Sequence, residues 1–223
     1  MTCCEAFTSC NGFVLLSLCI IAMVLNLLPM FADYATDSFL FRHPVSCFEW
    51  WLPGVVGGGI LVLPSVAMAF AAKKKGSCNT RCGMLLSACM CSLGLIGALY
   101  CLLVSFFALG TGPLICEGPD ASLSSCNFTI KDIGSLSRMN FDITWYFNED
   151  GCWNRTQDGT EGSRILGEAG LELDNYEQVN LHLATFAGLA AVALLEVLFS
   201  LLQVLAGICA CVCGTSKKTR DYS

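Results

Sequence analysis

Few residues in this chain have the type and spacing for chemistry, and the deepest is an acid. Glu196 lies in the last long apolar run, with Gln203 seven residues on and so on nearly the same helical face. An ionised carboxylate at such a depth costs ~2.5–3.5 kcal/mol on insertion scales, so it must find a partner or hold a proton. One reading is a proton or ion site. The other is interhelical glue, with Asn26 or Ser105 as partner. Transport sites are usually assembled from several charges and interrupted helices, and here one acid is deep in a span. Glue is the expected role.

Sixteen cysteines come next. Cys3, Cys4, Cys10, Cys78, Cys82, Cys209, Cys211 and Cys213 fall at the ends of apolar runs, on the side where basic residues gather. Thiols beside a membrane are candidates for acylation. Zinc is the alternative, but neither Cys78-x3-Cys82 nor Cys211-x-Cys213 is a usual finger spacing and no histidine is near them. Cys47, Cys116, Cys126 and Cys152 lie on the opposite side, where disulfides persist, and three pairings are open to them. That side also carries two glycosylation sequons, Asn127-Phe128-Thr129 and Asn154-Arg155-Thr156.

Nothing else in the sequence suggests a reaction. His43 and His182 sit at span edges with no nucleophile or ligand partner beside them, and read as interfacial polar residues. No phosphate loop, dinucleotide glycine pattern or HExxH is present. No catalytic residue, metal site or cofactor is expected, and the protein is read as a non-enzyme. Nucleic acid is excluded as a partner, because the chain has 12 basic against 18 acidic residues and phosphate binding needs a basic face.

These residues hang on four apolar runs. With 55% apolar and 13% charged residues, the chain is too hydrophobic for an ordinary soluble domain. Transmembrane spans are expected at 12–32, 48–72, 83–110 and 181–213. Short segments flank them: an N-terminus at 1–11, a short outer loop at 33–47, a basic loop at 73–82 and a C-terminus at 214–223. Residues 1–11 hold no Lys or Arg, which argues against a cleaved signal peptide. Asn26 lies within the first span. Gly54 with Gly58, and Gly94 with Ala98, are small-xxx-small pairs that let helices approach closely.

Lys73, Lys74, Lys75 and Arg81 place the short loop in the cytosol, and Lys217, Lys218 and Arg220 place the C-terminus there too. The first span has Glu5 on its inner flank and Arg42 on its outer one, so orientation depends on residues 73–81. The outer side then receives 111–180, seventy residues with twelve acids against Lys131, Arg138, Arg155 and Arg164.

Several local words are more specific. Met1-Thr2-Cys3-Cys4-Glu5, Thr8-Ser9-Cys10-Asn11-Gly12-Phe13 and Ser46-Cys47-Phe48-Glu49-Trp50-Trp51 are three of them. Gly97-Ala98-Leu99-Tyr100-Cys101, Gly112-Pro113-Leu114-Ile115-Cys116 and Leu195-Glu196-Val197-Leu198-Phe199 are the others. Together they resemble the transmembrane 4 L6 family, a tetraspanin-like group. The resemblance covers essentially the whole chain and is weakest from about 150 to 176. Tetraspanins proper carry Cys-Cys-Gly in the large loop, whereas Asp150-Gly151-Cys152 stands here, so their disulfide pattern is not carried over.

The resemblance implies a polytopic protein, without catalytic residues, that associates laterally with other membrane proteins. The expected fold is an all-α integral membrane four-helix bundle, tetraspanin-like, with a large disulfide-bonded outer loop that can include a short β-sheet. Expected partners are the lipid bilayer, other integral membrane proteins and, as an option, further copies of the chain in a homo-oligomer. The expected location is the plasma membrane or the endoplasmic reticulum and Golgi membranes. Two alternatives compete with a lateral organiser. One is a secretory-pathway regulator of the maturation or intramembrane proteolysis of a client. The other is a small transporter or lipid-binding protein that uses Glu196.

Overall fold

A computed structural model of the protein describes residues 3–37, 45–71, 81–113, 146 and 175–213. The helices are α1 (Cys3–Asp37), α2 (Leu63–Ala71), α3 (Arg81–Thr111) and α4 (Asn175–Cys213), with no strand among the described residues. Four stretches are long and apolar enough to cross a bilayer: Thr8–Phe31, Phe48–Ala71, Leu85–Thr111 and Val179–Cys209. Thr8–Phe31 has 24 residues, about 36 Å of helix at ~1.5 Å per residue, against a hydrocarbon core of ~30 Å.

The pattern of exposure says what surrounds them. Along α4, Leu194, Leu198, Leu201, Leu205 and Ile208 recur every three or four residues and are all exposed. Leu189, Val192, Ala193, Glu196, Ser200 and Gln203 recur in the same rhythm and are buried. A helix in water presents the reverse arrangement, with polar residues outward. An outward leucine stripe and an inward polar stripe need lipid on the outside. The chain is a multi-pass membrane protein.

The second span is not one continuous α-helix. It opens with a 3-10 turn at Cys47–Trp51, widens into a π-helical segment at Pro53–Ile60 and becomes α-helical only at Leu63. Pro53 and Pro64 lack an N–H, and Gly54, Gly57, Gly58 and Gly59 bring no side chain to support a regular turn. The Leu61 N–H consequently reaches back five residues to the Val56 carbonyl, at 3.1 Å.

A capping box starts this span. Phe48 N–H donates to Ser46 Oγ at 3.3 Å, and Ser46 N–H donates to Glu49 Oε1 at 3.1 Å. Leu52 then takes a left-handed conformation (φ 43°), and its N–H closes the turn on the Glu49 carbonyl at 3.0 Å. Glu49 is therefore buried and committed to the backbone, while its neighbour Trp50 is exposed.

The described chain falls into two compact units. One comprises Met1–Met23, Gly54–Leu102 and Ala191–Ser223; the other comprises Val24–Pro53 and Leu103–Ala190. In the first, Leu15, Val62, Val66 and Ala98 form a core flanked by Leu16, Phe70, Val197 and Phe199. Phe13 meets Phe70 edge-on, with ring centroids 4.9 Å apart. In the second, Gly112 (φ 80°) ends α3, its N–H donating to the Ala108 carbonyl at 3.0 Å before Pro113.

Candidate intramembrane polar site

Spacing along α1 and α4 turns their polar residues inward. Asn11, Leu15, Cys19 and Ala22 form the buried face of α1 within the first unit. Glu196, Ser200 and Gln203 do the same on α4. These stripes carry the unit's chemistry.

One group of polar atoms is joined into a clasp. Asn11 Nδ2 donates to Gln203 Oε1 at 2.9 Å and to the Phe199 carbonyl at 3.1 Å. Gln203 Nε2 donates to the Ser65 carbonyl at 3.3 Å, and Ser65 Oγ donates to the Met90 carbonyl at 3.1 Å. The chain of bonds therefore runs from α1 through α4 and α2 to α3. Hydrogen bonds of this kind are worth about 0.6 kcal/mol each in a membrane, with ~1.7 as an upper value. Their larger effect is on register, because a one-residue slip of any helix leaves a buried amide or hydroxyl unsatisfied.

Glu196 stands apart from the clasp. It is fully buried, and neither carboxyl oxygen has a hydrogen-bond partner among the described residues. Asn26 and Ser105, the expected partners, supply no hydrogen bond to it; within the first unit the carboxyl is turned toward Gly58. A Cβ at Gly58 would stand 3.1 Å from Glu196 Oε2 and 2.8 Å from the Ala22 Cβ. Ser200, one turn along α4, is also buried, and its hydroxyl is equally without a partner among the described residues. The Cys19 thiol, nearby on α1, reaches the Gly59 carbonyl at 3.4 Å.

Small residues let the spans close around these groups. Gly94 lies against the Ser65 side chain, and Ala98 is buried in the core. Gly54 is the second residue of the π-helical segment, and Gly58 supplies the wall that faces Glu196.

The second unit buries its own polar residue. His182 is expected at an interface, yet it is buried, and its Nε2 donates to the Ala108 carbonyl at 3.0 Å. Its ring packs on Phe186, with centroids 4.8 Å apart. Depth along the helix suggested a wet position, but the face it occupies makes it a dry one. Asn26 and Ser105 are buried in this unit too.

Sequence reasoning gave no structural role to Asn11, Ser65, Ser200, Ser46, Gly57 or Gly97, although Asn11, Ser46 and Gly97 lie in the words that carry the family resemblance. Ser46 was findable, since Ser-x-x-Glu ahead of an apolar run is the capping-box signature. Cys10 and Cys209 are exposed free thiols, as is Cys89, which the sequence did not single out. Cys3, Cys4, Cys82, Cys211 and Cys213 lie on helices, and Cys47 begins the 3-10 turn. Cys78, Cys116, Cys126, Cys152, Asn127, Asn154 and His43 lie outside the described residues, as does the expected sheet of the large loop. Among the described residues, no three His, Cys, Asp or Glu side chains cluster as metal ligands would.

Comparison with known proteins adds the family context. The family model described as L6 membrane protein matches residues 2–217. The chain is 39% identical over 222 residues to transmembrane 4 L6 family member 20 of Bos taurus, covering 96% of each chain. It is 39% identical over 225 residues to transmembrane 4 L6 family member 20 of Homo sapiens, covering 98% of each. Transmembrane 4 L6 family member 1 of Mus musculus is 27% identical, with 91% of this chain and 90% of that protein aligned. No solved structure matches the chain.

Proposed function

Since the chain belongs to the L6 membrane protein family, we propose that it is a non-enzymatic organiser that associates laterally with other membrane proteins. The observation that carries this reading is the division of labour on α4. Its polar residues are used or enclosed inside the protein, and Leu194, Leu198, Leu201, Leu205 and Ile208 remain as an outward apolar face. Such a face is available to lipid or to another span, and offers no chemistry of its own.

The proposed topology puts residues 73–82 and both termini in the cytosol and residues 111–180 outside, by the distribution of lysine and arginine. In this arrangement Asn127 and Asn154 carry sugars, and Cys47, Cys116, Cys126 and Cys152 are the disulfide candidates. The boundary thiols, Cys10 and Cys209 among them, are acylation candidates that tune partitioning in the bilayer. The acidic outer loop contributes to the choice of partner.

The test is reconstitution from native membranes into lipid nanodiscs without detergent exchange. Membrane proteins retained with the wild type should be lost when Leu198, Leu201 and Leu205 are replaced together by alanine, while the fold is kept. Retention that ignores this triple change contradicts the reading. A small transporter is the second reading, favoured by the interrupted second span opposite Glu196. Glu196→Gln abolishes activity in that reading and leaves lateral partners untouched in ours.

A further inference from the structure

Among the described residues of the first unit, Glu196 and Ser200 are the two buried polar side chains that stand outside the clasp, and the lateral-association reading does not use them. Both are buried, they sit one turn apart on the same face of α4, and neither has a partner among the described residues. An unpaired carboxylate cannot remain charged inside a bilayer without a cation beside it. Arg81, at the very start of α3, is the only lysine or arginine among the described residues. Gly58 faces the Glu196 carboxyl, Ala22 lies against the same glycine, and both are neutral; the Cys19 thiol is nearby. Gln203, further along the stripe, is already committed to Asn11 and Ser65.

We propose that Glu196 and Ser200 form an intramembrane proton-holding site, in which the neutral carboxylic acid and the hydroxyl are bridged by one water molecule. The chemistry of the donors fits this ligand. A neutral carboxyl offers one O–H donor and acceptor lone pairs, and a serine hydroxyl offers the same. The two groups do not bond each other directly, so a polar bridge is what satisfies both. The glycine at 58 gives the site its wall: any side chain there would press on the carboxyl and on Ala22. The proton is then what allows α1, the π-helical segment and α4 to close at this level, because losing it would leave an uncompensated charge between them.

The experiment is infrared spectroscopy of the full chain in lipid bilayers at neutral pH, comparing wild type with Glu196→Gln. A carbonyl band of a neutral carboxylic acid should be present in wild type and absent from the variant. That band should shift in D2O, and Ser200→Ala should move it while leaving it present. Loss of carboxylate bands in Glu196→Gln, in place of the acid band, overturns the proposal. So does an acid band that ignores both D2O and Ser200→Ala. If Glu196→Gln does not fold, the Ser200→Ala comparison carries the test alone: an acid band that stays in place in Ser200→Ala overturns the proposal.

Discussion

Gly57 and Gly97 meet backbone to backbone: a Cβ on either would stand 2.7 Å from the carbonyl oxygen of the other. The contact joins the π-helical segment of the second span to α3. Gly57→Ala or Gly97→Ala should destabilise the protein by about 1–3 kcal/mol, the usual cost of overpacking. Gly207→Ala is the control, since its Cβ would lie 3.6 Å from the Ala88 Cβ, an ordinary contact. Reversible unfolding in mixed micelles should separate the two kinds of glycine. Equal losses at Gly97 and Gly207 would refute the contact.

The clasp predicts coupling. Asn11→Ala and Gln203→Ala should each cost about 0.6–1.7 kcal/mol, and the double variant should cost less than their sum because both remove the bond at 2.9 Å. A double-mutant cycle on unfolding free energies measures this. Strict additivity would show that the two amides act independently.

Ser46→Ala removes the oxygen that accepts the Phe48 N–H. The expected loss is about 0.5–2 kcal/mol, typical of a deleted N-cap. It should appear locally, as faster amide hydrogen exchange across Cys47–Leu52 with α4 unaffected. Uniform exchange at these amides in both proteins would argue that the cap is not formed in the bilayer.

His182→Phe keeps a ring against Phe186 but removes the donor to Ala108. The Ala108 carbonyl still accepts from Gly112, so no backbone group is left bare. The cost should therefore stay near the ~0.5–1.5 kcal/mol of one net hydrogen bond. His182→Ala should cost more, because it also empties packing space. A reversed order in unfolding experiments would mean that the ring contact is not what holds this end of α4.

The existence and number of the spans were legible because four apolar runs have bilayer length, and the signal-peptide reading of the first lacks its basic segment. The inward face of α4 was partly legible too, since the spacing of Glu196 and Gln203 fixes a shared face whatever packs against it. The partners were not. Asn11 precedes the apolar run and reads as tail, yet α1 begins at Cys3 and carries it inside as a buried helical residue. Hydropathy reports depth and not direction, which is why His182 read as interfacial. Gly57 and Gly97 were hidden for a related reason. The i, i+4 pattern picks out Gly54–Gly58 and Gly94–Ala98, but the widened turn at Pro53–Ile60 rotates Gly57 onto α3. No sequence period anticipates that rotation.

The proposed topology has its own check in the glycans. Digestion with an enzyme that cleaves every N-linked glycan should shift wild-type protein from native membranes, and the double variant Asn127→Gln with Asn154→Gln should show no shift. Sugars that resist cleavage of immature forms would place the protein beyond the Golgi, and sensitive ones would keep it in earlier membranes. A wild type without sugars at either site would contradict an outer location for residues 111–180.

Lateral association is tested most directly by placing a photocrosslinking side chain at single positions of α4 in native membranes. At Leu198 and Leu205, both exposed, the account predicts crosslinks to discrete membrane proteins. At Ala193, which is fully buried, it predicts crosslinks within the chain. Adducts with lipid alone at Leu198 and Leu205 would contradict the account.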